Sequence, residues 1–235
     1  MRIRLDKYLA DMGCGTRSQV KREIAGGSVM VNGAPARRPE DKIDIEKDSV
    51  VFRGSPVGYV EYEYFMLNKP AGVVSATEDR KERTVLDLID ARQRKDLFPV
   101  GRLDKDTEGL LLITNDGEMA HRLLSPKKHV DKAYYARVAG RITEEHVRLF
   151  AEGVDIGDEK PTLPAELTVL SSGEISEIEL VIREGRFHQV KRMFQAAGGE
   201  VIYLKRLRMG SLVLDGGLEP GEYRKLTEEE VRALC

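Results

Sequence analysis

The chain has 235 residues, of which 41% are hydrophobic and 33% charged, with a formal net charge of −2 and two cysteines. This composition is typical of a globular protein that forms one large domain, or a medium domain and a small one. No apolar run approaches the roughly 18 residues of a membrane span, and the start turns polar too soon for a secretory leader. Cys14 and Cys235 suggest neither a disulfide framework nor a zinc site. We therefore expect a cytoplasmic, metal-free protein.

The first part of the chain, residues 1–58, predicts two helices followed by a hairpin. Apolar side chains recur at helical spacing from Ile3 to Leu9, and the Gly-Cys-Gly turn at 13–15 ends that helix. A second helix, capped by a hydroxyl residue at 16 or 18, runs to the glycine pair at 26–27. The following apolar strand ends in Asn-Gly, which is the strongest short hairpin signal.

The second part of the chain, residues 63–235, mixes short strands with helices. A linker-like stretch at 54–62, with several glycines and a proline, separates it from the first part. Strands and helices do not alternate steadily, so the pattern favours an α+β domain with a mixed, mostly antiparallel sheet. The strands are predicted at 64–68, 110–114, 134–138, 178–182 and 212–214, and the helices at 85–89, 118–124, 144–152, 187–197 and 228–234.

Basic residues are segregated along the chain although the net charge is low. Residues 183–208 contain seven Lys or Arg and two Glu, and residues 1–60 contain eleven basic and eight acidic residues. Because a polyanion responds to the local field, these segments indicate a nucleic-acid partner. A solvated basic face is the alternative explanation.

A carboxylate pair, Asp104 and Asp106, immediately precedes the apolar run at 110–114. Three interpretations follow from the residues alone. The pair can be solvated turn residues, it can contribute a catalytic carboxylate, or it can bind Mg²⁺. No further acidic ligands accompany the pair, so the metal interpretation is the weakest.

Two later segments suggest contacts with a nucleic acid. Tyr134 lies in a basic neighbourhood, where an aromatic ring can stack on a nucleobase or pack in the core of a sheet. The segment 183–194 follows a strand and opens a basic helix, whose N-terminus can bind phosphate. An ordinary basic surface helix explains that segment equally well.

Four motifs occur in an order that resembles the RsuA branch of the pseudouridine synthases. They are Tyr64–Pro70, Gly101–Asp104, Lys132–Tyr134 and Glu184–Met193, and the stretch at 220–230 is also similar. The first 60 residues resemble an S4 RNA-binding domain, so the resemblance covers essentially the whole chain. It implies a small S4-like domain at 1–58, followed by a catalytic domain at 63–235 with a central cleft.

The resemblance also implies roles for individual residues. Asp104 matches the essential aspartate, and Arg102 matches the arginine that fills the space of the extruded nucleotide. Tyr134 matches the tyrosine that stacks on the target base, and Arg186 the arginine that pairs with the catalytic carboxylate. Further RNA contacts are expected at Lys69, Arg17, Lys21, Arg22, His188, Gln189, Lys191, Arg192 and Arg206.

The implied function is isomerisation of a specific uridine to pseudouridine in 16S ribosomal RNA, by a monomer that acts on an assembly intermediate. The reaction is redox-neutral and loses no group, so no cofactor is expected. The alternatives are the same reaction on 23S rRNA and a non-catalytic RNA-binding protein of ribosome assembly. A glycosidase or base-removing hydrolase, with Asp106 activating water, is a further rival.

Overall fold

The computed structural model describes residues 1–125 and 128–234, which leaves Cys235 outside the described part of the chain. Two compact units are present, one formed by residues 1–63 with 90–97 and the other by residues 64–89 with 98 onward. Residues 90–97, which the sequence analysis included in the second domain, therefore cluster with the first unit. Over the described ranges, no helix is long and apolar enough to cross a membrane.

The first unit consists of two short helices and small sheets. Its elements are β1 (Arg2–Arg4), α1 (Leu5–Asp11), α2 (Arg17–Gly26), β2 (Val29–Val31), β3 (Ala34–Pro35), β4 (Lys42–Asp44), β5 (Val50–Phe52) and β6 (Ser55–Pro56). The cap predicted at 16 or 18 is Thr16, whose hydroxyl accepts from the backbone N–H of Gln19. Leu5, Leu9 and Ile24 are fully buried between the helices and the strands.

Arg94, from the later segment, is buried in this first unit. Its guanidinium donates to the Asp96 carboxylate at 2.8 and 2.5 Å and to the carbonyl oxygen of Val60 at 3.0 Å. It lies 3.4 Å from the Asp11 carboxylate and over the Tyr59 ring. The first unit therefore includes residues from beyond its continuous stretch of sequence.

The second unit is built on a mixed sheet. Its elements are β7 (Tyr64–Lys69), a 3₁₀ turn (Val85–Leu88), β8 (Phe98–Pro99), β9 (Glu108–Thr114), α3 (Gly117–Leu124), β10 (Lys132–Ala139), α4 (Glu144–Glu152), β11 (Glu166–Ser171), β12 (Ile175–Ile182), α5 (Gln189–Ala196), β13 (Glu200–Met209), β14 (Leu212–Val213), β15 (Tyr223–Lys225) and α6 (Glu228–Leu234). The main sheet has the order β11-β12-β10-β13-β9-β7-β15, with β14 beside β13 and β8 beside β9.

The predicted sheet type is confirmed. Within the described residues, every pairing in this sheet is antiparallel except that of β9 with β13. The strands β7 and β9 occupy inner positions, so Leu110–Ile113 are fully buried and give an unbroken apolar run. The loop that carries Asp104 leads directly into β9.

Candidate active site

Asp104 lies in the loop between β8 and β9, and the backbone on its N-terminal side is fixed by Ser75. The Ser75 hydroxyl donates to the carbonyl oxygen of Leu103 at 2.9 Å and accepts from the Leu103 N–H at 3.2 Å. Both residues are buried, whereas the Asp104 side chain is 25% exposed. The loop therefore presents a carboxylate to solvent from a rigid backbone.

Lys69 fixes the backbone on the other side of Asp104. Its ammonium group donates to three carbonyl oxygens, those of Pro70 at 2.9 Å, Lys105 at 3.2 Å and Thr107 at 2.8 Å. The side chain is completely buried, and this burial lowers the pKa of Lys69 to about 8. In this structure Lys69 therefore offers RNA no exposed group, and the expected RNA contact stays a prediction. Lys69 continues the buried run of β7, a signal that the sequence did contain.

Lys191, in the first turn of α5, is the cation that faces the carboxylate pair. Its Nζ lies 3.4 Å from Asp104 Oδ2 and donates to both oxygens of Asp106, at 2.6 and 2.8 Å. The hydrogen bond from Lys191 lowers the pKa of Asp106. His188 is the other neighbour, with Nε2 3.6 Å from Asp104 Oδ1. From the sequence, Lys191 was expected to contact RNA, and this pairing was not predicted.

The ammonium group of Lys191 occupies the region between the two carboxylates that a bridging divalent cation would require. Among residues 1–125 and 128–234, no group of three or more His, Cys, Asp or Glu side chains is arranged to hold a metal. The pair Asp104 and Asp106 therefore forms an ion cluster with Lys191 in this structure.

Arg186 does not pair with Asp104, and that prediction is wrong. Its guanidinium donates to the Glu184 carboxylate at 3.0 Å and to the carbonyl oxygens of Lys160 and Pro161 at 2.6 and 2.8 Å. The reason lies in the backbone, because His188 has left-handed dihedral angles and α5 begins only at Gln189. Arg186 therefore stays in the preceding turn, and its side chain fixes the loop at 158–161.

Two other expected RNA contacts are also engaged within the protein. Gln189 is buried, and its side chain bonds the backbone N–H of Arg186 and the carboxylate of Glu184. Arg192 donates to Asp158 and to the carbonyl oxygen of Ile156, each at 2.5 Å. Both residues stabilise the turn before α5, and in this structure neither is available as a free RNA ligand.

Tyr134 lies in a strand row that ends beside the Asp104 loop. Tyr134 of β10 pairs with Arg206 of β13, and Arg206 in turn pairs with Gly109 at the start of β9. Tyr134 is 7% exposed and points to the same buried side as Lys132. The register therefore brings Tyr134 to the end of the sheet where the loop emerges.

Arg206 is buried behind this row and is not accessible to RNA in this structure, so its expected RNA contact stays a prediction. Its Nε donates to the carbonyl oxygen of Leu110 at 2.8 Å, while its Nη2 has no hydrogen-bond partner among the described residues. Nearby Lys132 is also buried, and burial followed by the charge of Arg206 lowers the pKa of Lys132. Long-range strand pairing places both cations inside, which sequence alone does not reveal.

Five predicted RNA ligands are accessible to solvent, and His188, beside Asp104, is one of them. Arg102 is exposed and makes no hydrogen bond or ion pair with any residue that the structure describes. Arg17, Lys21 and Arg22 are exposed on α2, within the first unit. Their roles remain predictions that this geometry permits.

Comparison with known families shows which family the chain belongs to. A model described as RNA pseudouridylate synthase matches residues 63–196, and an S4 domain model matches residues 3–50. The chain belongs to the RNA pseudouridylate synthase family. This protein, hereafter the synthase, is therefore an enzyme. The region that matches the family model contains Asp104, Tyr134 and Lys191.

Relatives of the synthase match along its whole length. An uncharacterised RNA pseudouridine synthase of Bacillus subtilis is 50% identical and covers 99% of this chain and 98% of its own. Ribosomal small subunit pseudouridine synthase A of Escherichia coli is 42% identical, with 99% and 100% covered. A crystal structure of a pseudouridylate synthase, 40% identical, superimposes with a TM-score of 0.70 over 99% of this chain and 100% of that one.

Proposed function

We propose that the synthase converts a uridine of small-subunit (16S) ribosomal RNA to pseudouridine, with Asp104 as the catalytic carboxylate. The observation that carries the proposal is the support of this side chain. Lys69 and Ser75 hold its loop from both sides, and Lys191 faces it at 3.4 Å. The choice of the small subunit rests on two full-length relatives, 42% and 44% identical, that are ribosomal small subunit pseudouridine synthases. The proposed substrate is an rRNA assembly intermediate in the cytoplasm, and the proposed form is a monomer.

The reaction breaks the N1–C1′ bond of the uridine, rotates the uracil and forms a C5–C1′ bond. C5 loses its proton and N1 ends as N–H, so the atoms balance without a redox partner or a carrier group. The sugar develops positive charge while it is detached from the base. A fixed carboxylate beside C1′ stabilises that charge or attacks the carbon directly. The same oxygen can instead remove a ribose proton, and both routes begin with an ionised Asp104.

We infer that Lys191, rather than Arg186, is the cation that pairs with the catalytic carboxylate. Its ammonium group balances the negative charge of Asp104 and Asp106 and restricts the orientations of both carboxylates. An ion pair at a partly exposed site contributes little to overall stability, but it positions the reacting oxygen. Lys191 is therefore proposed as a positioning residue.

Extrusion of the uridine from folded RNA costs a few kcal/mol. Arg102, two residues before Asp104 and free of partners among the described residues, is proposed to fill the vacated space. Tyr134 is proposed to stack on the uracil while it rotates. Contacts of the exposed cations on α2 with phosphates would offset part of the cost and hold the RNA.

The test is to map pseudouridine in 16S and 23S rRNA from cells with and without the gene, and in transcripts treated with the purified protein. We expect one 16S position to depend on the protein in both settings. A protein-dependent site found only in 23S rRNA would transfer the proposal to the large subunit. A protein that binds rRNA without forming pseudouridine would support the non-catalytic alternative.

Two isosteric variants assign the carboxylates. Asp104→Asn is expected to abolish product formation while the affinity for RNA is retained. Asp106→Asn is expected to keep most of the activity, because the hydrolase alternative alone requires a second acid. Release of free uracil, and its loss in Asp106→Asn, would favour the hydrolase and contradict the isomerase.

A further inference from the structure

Phe187 is a large apolar side chain left in water at the edge of the candidate active site. It is 73% exposed, the highest value among the exposed large hydrophobic residues of the described chain. An exposed phenyl ring forgoes the favourable free energy that burial of apolar surface provides. Its two chain neighbours, Arg186 and His188, both belong to the turn that precedes α5.

The Phe187 ring stacks on the imidazole of His188. The ring centroids are 3.8 Å apart and the planes differ by 20°, which gives one flat double layer. His188 has φ 47° and ψ 35°, a left-handed conformation that is strained for a non-glycine residue. Such strain persists where the surrounding structure enforces it, and it is concentrated at functional sites.

The turn that carries these rings is fixed from behind. Arg192 donates to the carbonyl oxygen of Phe187 at 3.2 Å and is itself held by Asp158. His188 extends the double layer to the carboxylate, since its Nε2 lies 3.6 Å from Asp104. The exposed ring is therefore preorganised, and one side chain separates it from Asp104.

We propose that Phe187 and His188 form a stacking platform for the nucleobase adjacent to the extruded uridine. This inference rests on the proposed function and adds a subsite to it. A flat, outward-facing ring beside cationic groups suits a nucleobase, because every base offers a π-face and the neighbouring cations attract its phosphates. The base on Phe187 belongs to a neighbouring nucleotide, because His188 separates the ring from the reacting position at Asp104.

Binding to an inactive enzyme tests the platform without requiring turnover. A short RNA with the mapped uridine would carry the fluorescent base 2-aminopurine on its 5′ side or on its 3′ side. Asp104→Asn protein is expected to change the fluorescence at one of the two positions by stacking. Asp104→Asn combined with Phe187→Ala is expected to lose that change. No stacking signal at either position would overturn the platform.

Kinetics on the same RNA separate aromatic stacking from simple apolar contact. Phe187→Ala should raise KM about 5- to 150-fold, the equivalent of one lost base stack. The KM of Phe187→Trp should stay near the wild-type value, whereas the KM of Phe187→Leu should rise as it does in Phe187→Ala. An abasic nucleotide at the stacked position should raise the KM of the wild type by the same factor. It should not raise the KM of Phe187→Ala any further.

The matched control is Leu170→Ala, which removes another exposed apolar side chain, on β11, and should leave KM unchanged. The platform would be refuted by a wild-type KM for Phe187→Ala, or by equal KM values for the Leu and Trp variants. It would also be refuted if the abasic nucleotide raised the KM of Phe187→Ala as much as that of the wild type. These results are distinguishable from failure of the proposed function, which would appear as a wild-type protein that forms no pseudouridine.

Discussion

Two carboxylates and one ammonium group share a small volume at the candidate active site. Lys191 Nζ contacts Asp106 at 2.6 Å and Asp104 at 3.4 Å, so its removal leaves two negative charges facing each other. Because like charges repel, both carboxylates would move from their present positions. The effect on catalysis should therefore exceed the effect on folding.

Lys191→Met is expected to lower kcat about 10²-fold or more, the usual cost of losing one preorganised charged group. Lys191→Arg should recover part of the rate, because it keeps the charge but changes its geometry. Single-turnover rates at saturating RNA measure both effects. A Lys191→Met enzyme with wild-type kcat would contradict the positioning role.

Arg186→Met is the matched comparison, because it also removes one cation, from the turn that precedes α5. Its guanidinium holds Glu184 and the loop at 158–161, so the main expected loss is in thermal stability. A larger fall in kcat for Arg186→Met than for Lys191→Met, with unchanged melting temperature, would restore the pairing that the sequence suggested.

The buried ammonium group of Lys69 leads us to expect a lower kcat at alkaline pH. Its ammonium group has three N–H donors for three carbonyl oxygens, and its pKa is lowered to about 8 by burial. Above that pH the neutral amine has one donor fewer, so one attachment of the Asp104 loop is lost. The kcat of the wild type should therefore decline above about pH 8. Lys69→Met should be slow throughout and lack this alkaline limb.

The contribution of Lys69 to the stability of the fold changes in the opposite direction to its effect on kcat. The unfolded chain keeps the Lys69 proton up to its ordinary pKa of 10.5, whereas the folded chain releases it near 8. Between these values the unfolded state binds more protons, so this residue makes folding more favourable as pH rises. Loss of the Lys69 proton is therefore not expected to lower the melting temperature. If kcat declines with rising pH while the melting temperature is unchanged, the cause is a loosened Asp104 loop. A flat wild-type profile from pH 7 to 9.5 would disprove the prediction.

At the level of elements, the sequence predicted the positions of strands and helices better than it predicted which side chains contact one another. The continuous apolar run at 110–113 and the Thr16 cap are local signals, and the structure confirms both. The start of α5 was placed two residues early, because the left-handed His188 is not encoded in hydrophobic periodicity. That shift changes which cation faces Asp104, so the candidate site could be predicted only in part.

The junction of β9 with β13 is a contact that no local pattern reveals. It has only two registered pairs, Lys205 with Glu108 and Arg206 with Gly109. A β-carbon at Gly109 would lie 2.3 Å from the carbonyl oxygen of Arg206, which is backbone and cannot rotate away. The glycine therefore permits the parallel strands to approach and close the sheet behind the site.

Gly109→Ala is expected to lower the free energy of unfolding by at least about 2 kcal/mol more than Gly221→Ala does. The two glycines have nearly equal positive φ, 98° and 96°, but Gly221 has open space around its β-carbon position. The comparison isolates the steric clash from the conformational cost. Denaturant unfolding measures both variants, and equal losses would show that the close approach is unimportant.

At the level of the whole molecule, the two units differ in how they can contact RNA. In the second unit, the cations near Asp104 are largely engaged with carboxylates and carbonyl oxygens of the protein. In the first unit, α2 has three exposed basic side chains on a helix anchored by Val20 and Ile24. Sequence-independent attraction to phosphates is therefore expected to come from α2, and the chemistry from the second unit.

This division predicts the behaviour of a variant with Arg17, Lys21 and Arg22 all changed to alanine. Its affinity for rRNA fragments should fall similarly for every sequence, and the slope of log K against log salt should decrease by about 2. The kcat at saturating RNA should stay near wild type, since Asp104 and its neighbours are unchanged. Salt titrations of binding, followed by single-turnover assays, provide the two measurements.

The control removes three exposed arginines from the second unit, Arg137, Arg141 and Arg148, and so changes the net charge equally. If total charge governed binding, this control would lose as much affinity as the α2 variant. We expect it to bind nearly as tightly as the wild type, because only phosphates held at close range release their counterions. A wild-type salt slope for the α2 variant would mean that the RNA is held elsewhere, and the role proposed for α2 would fail.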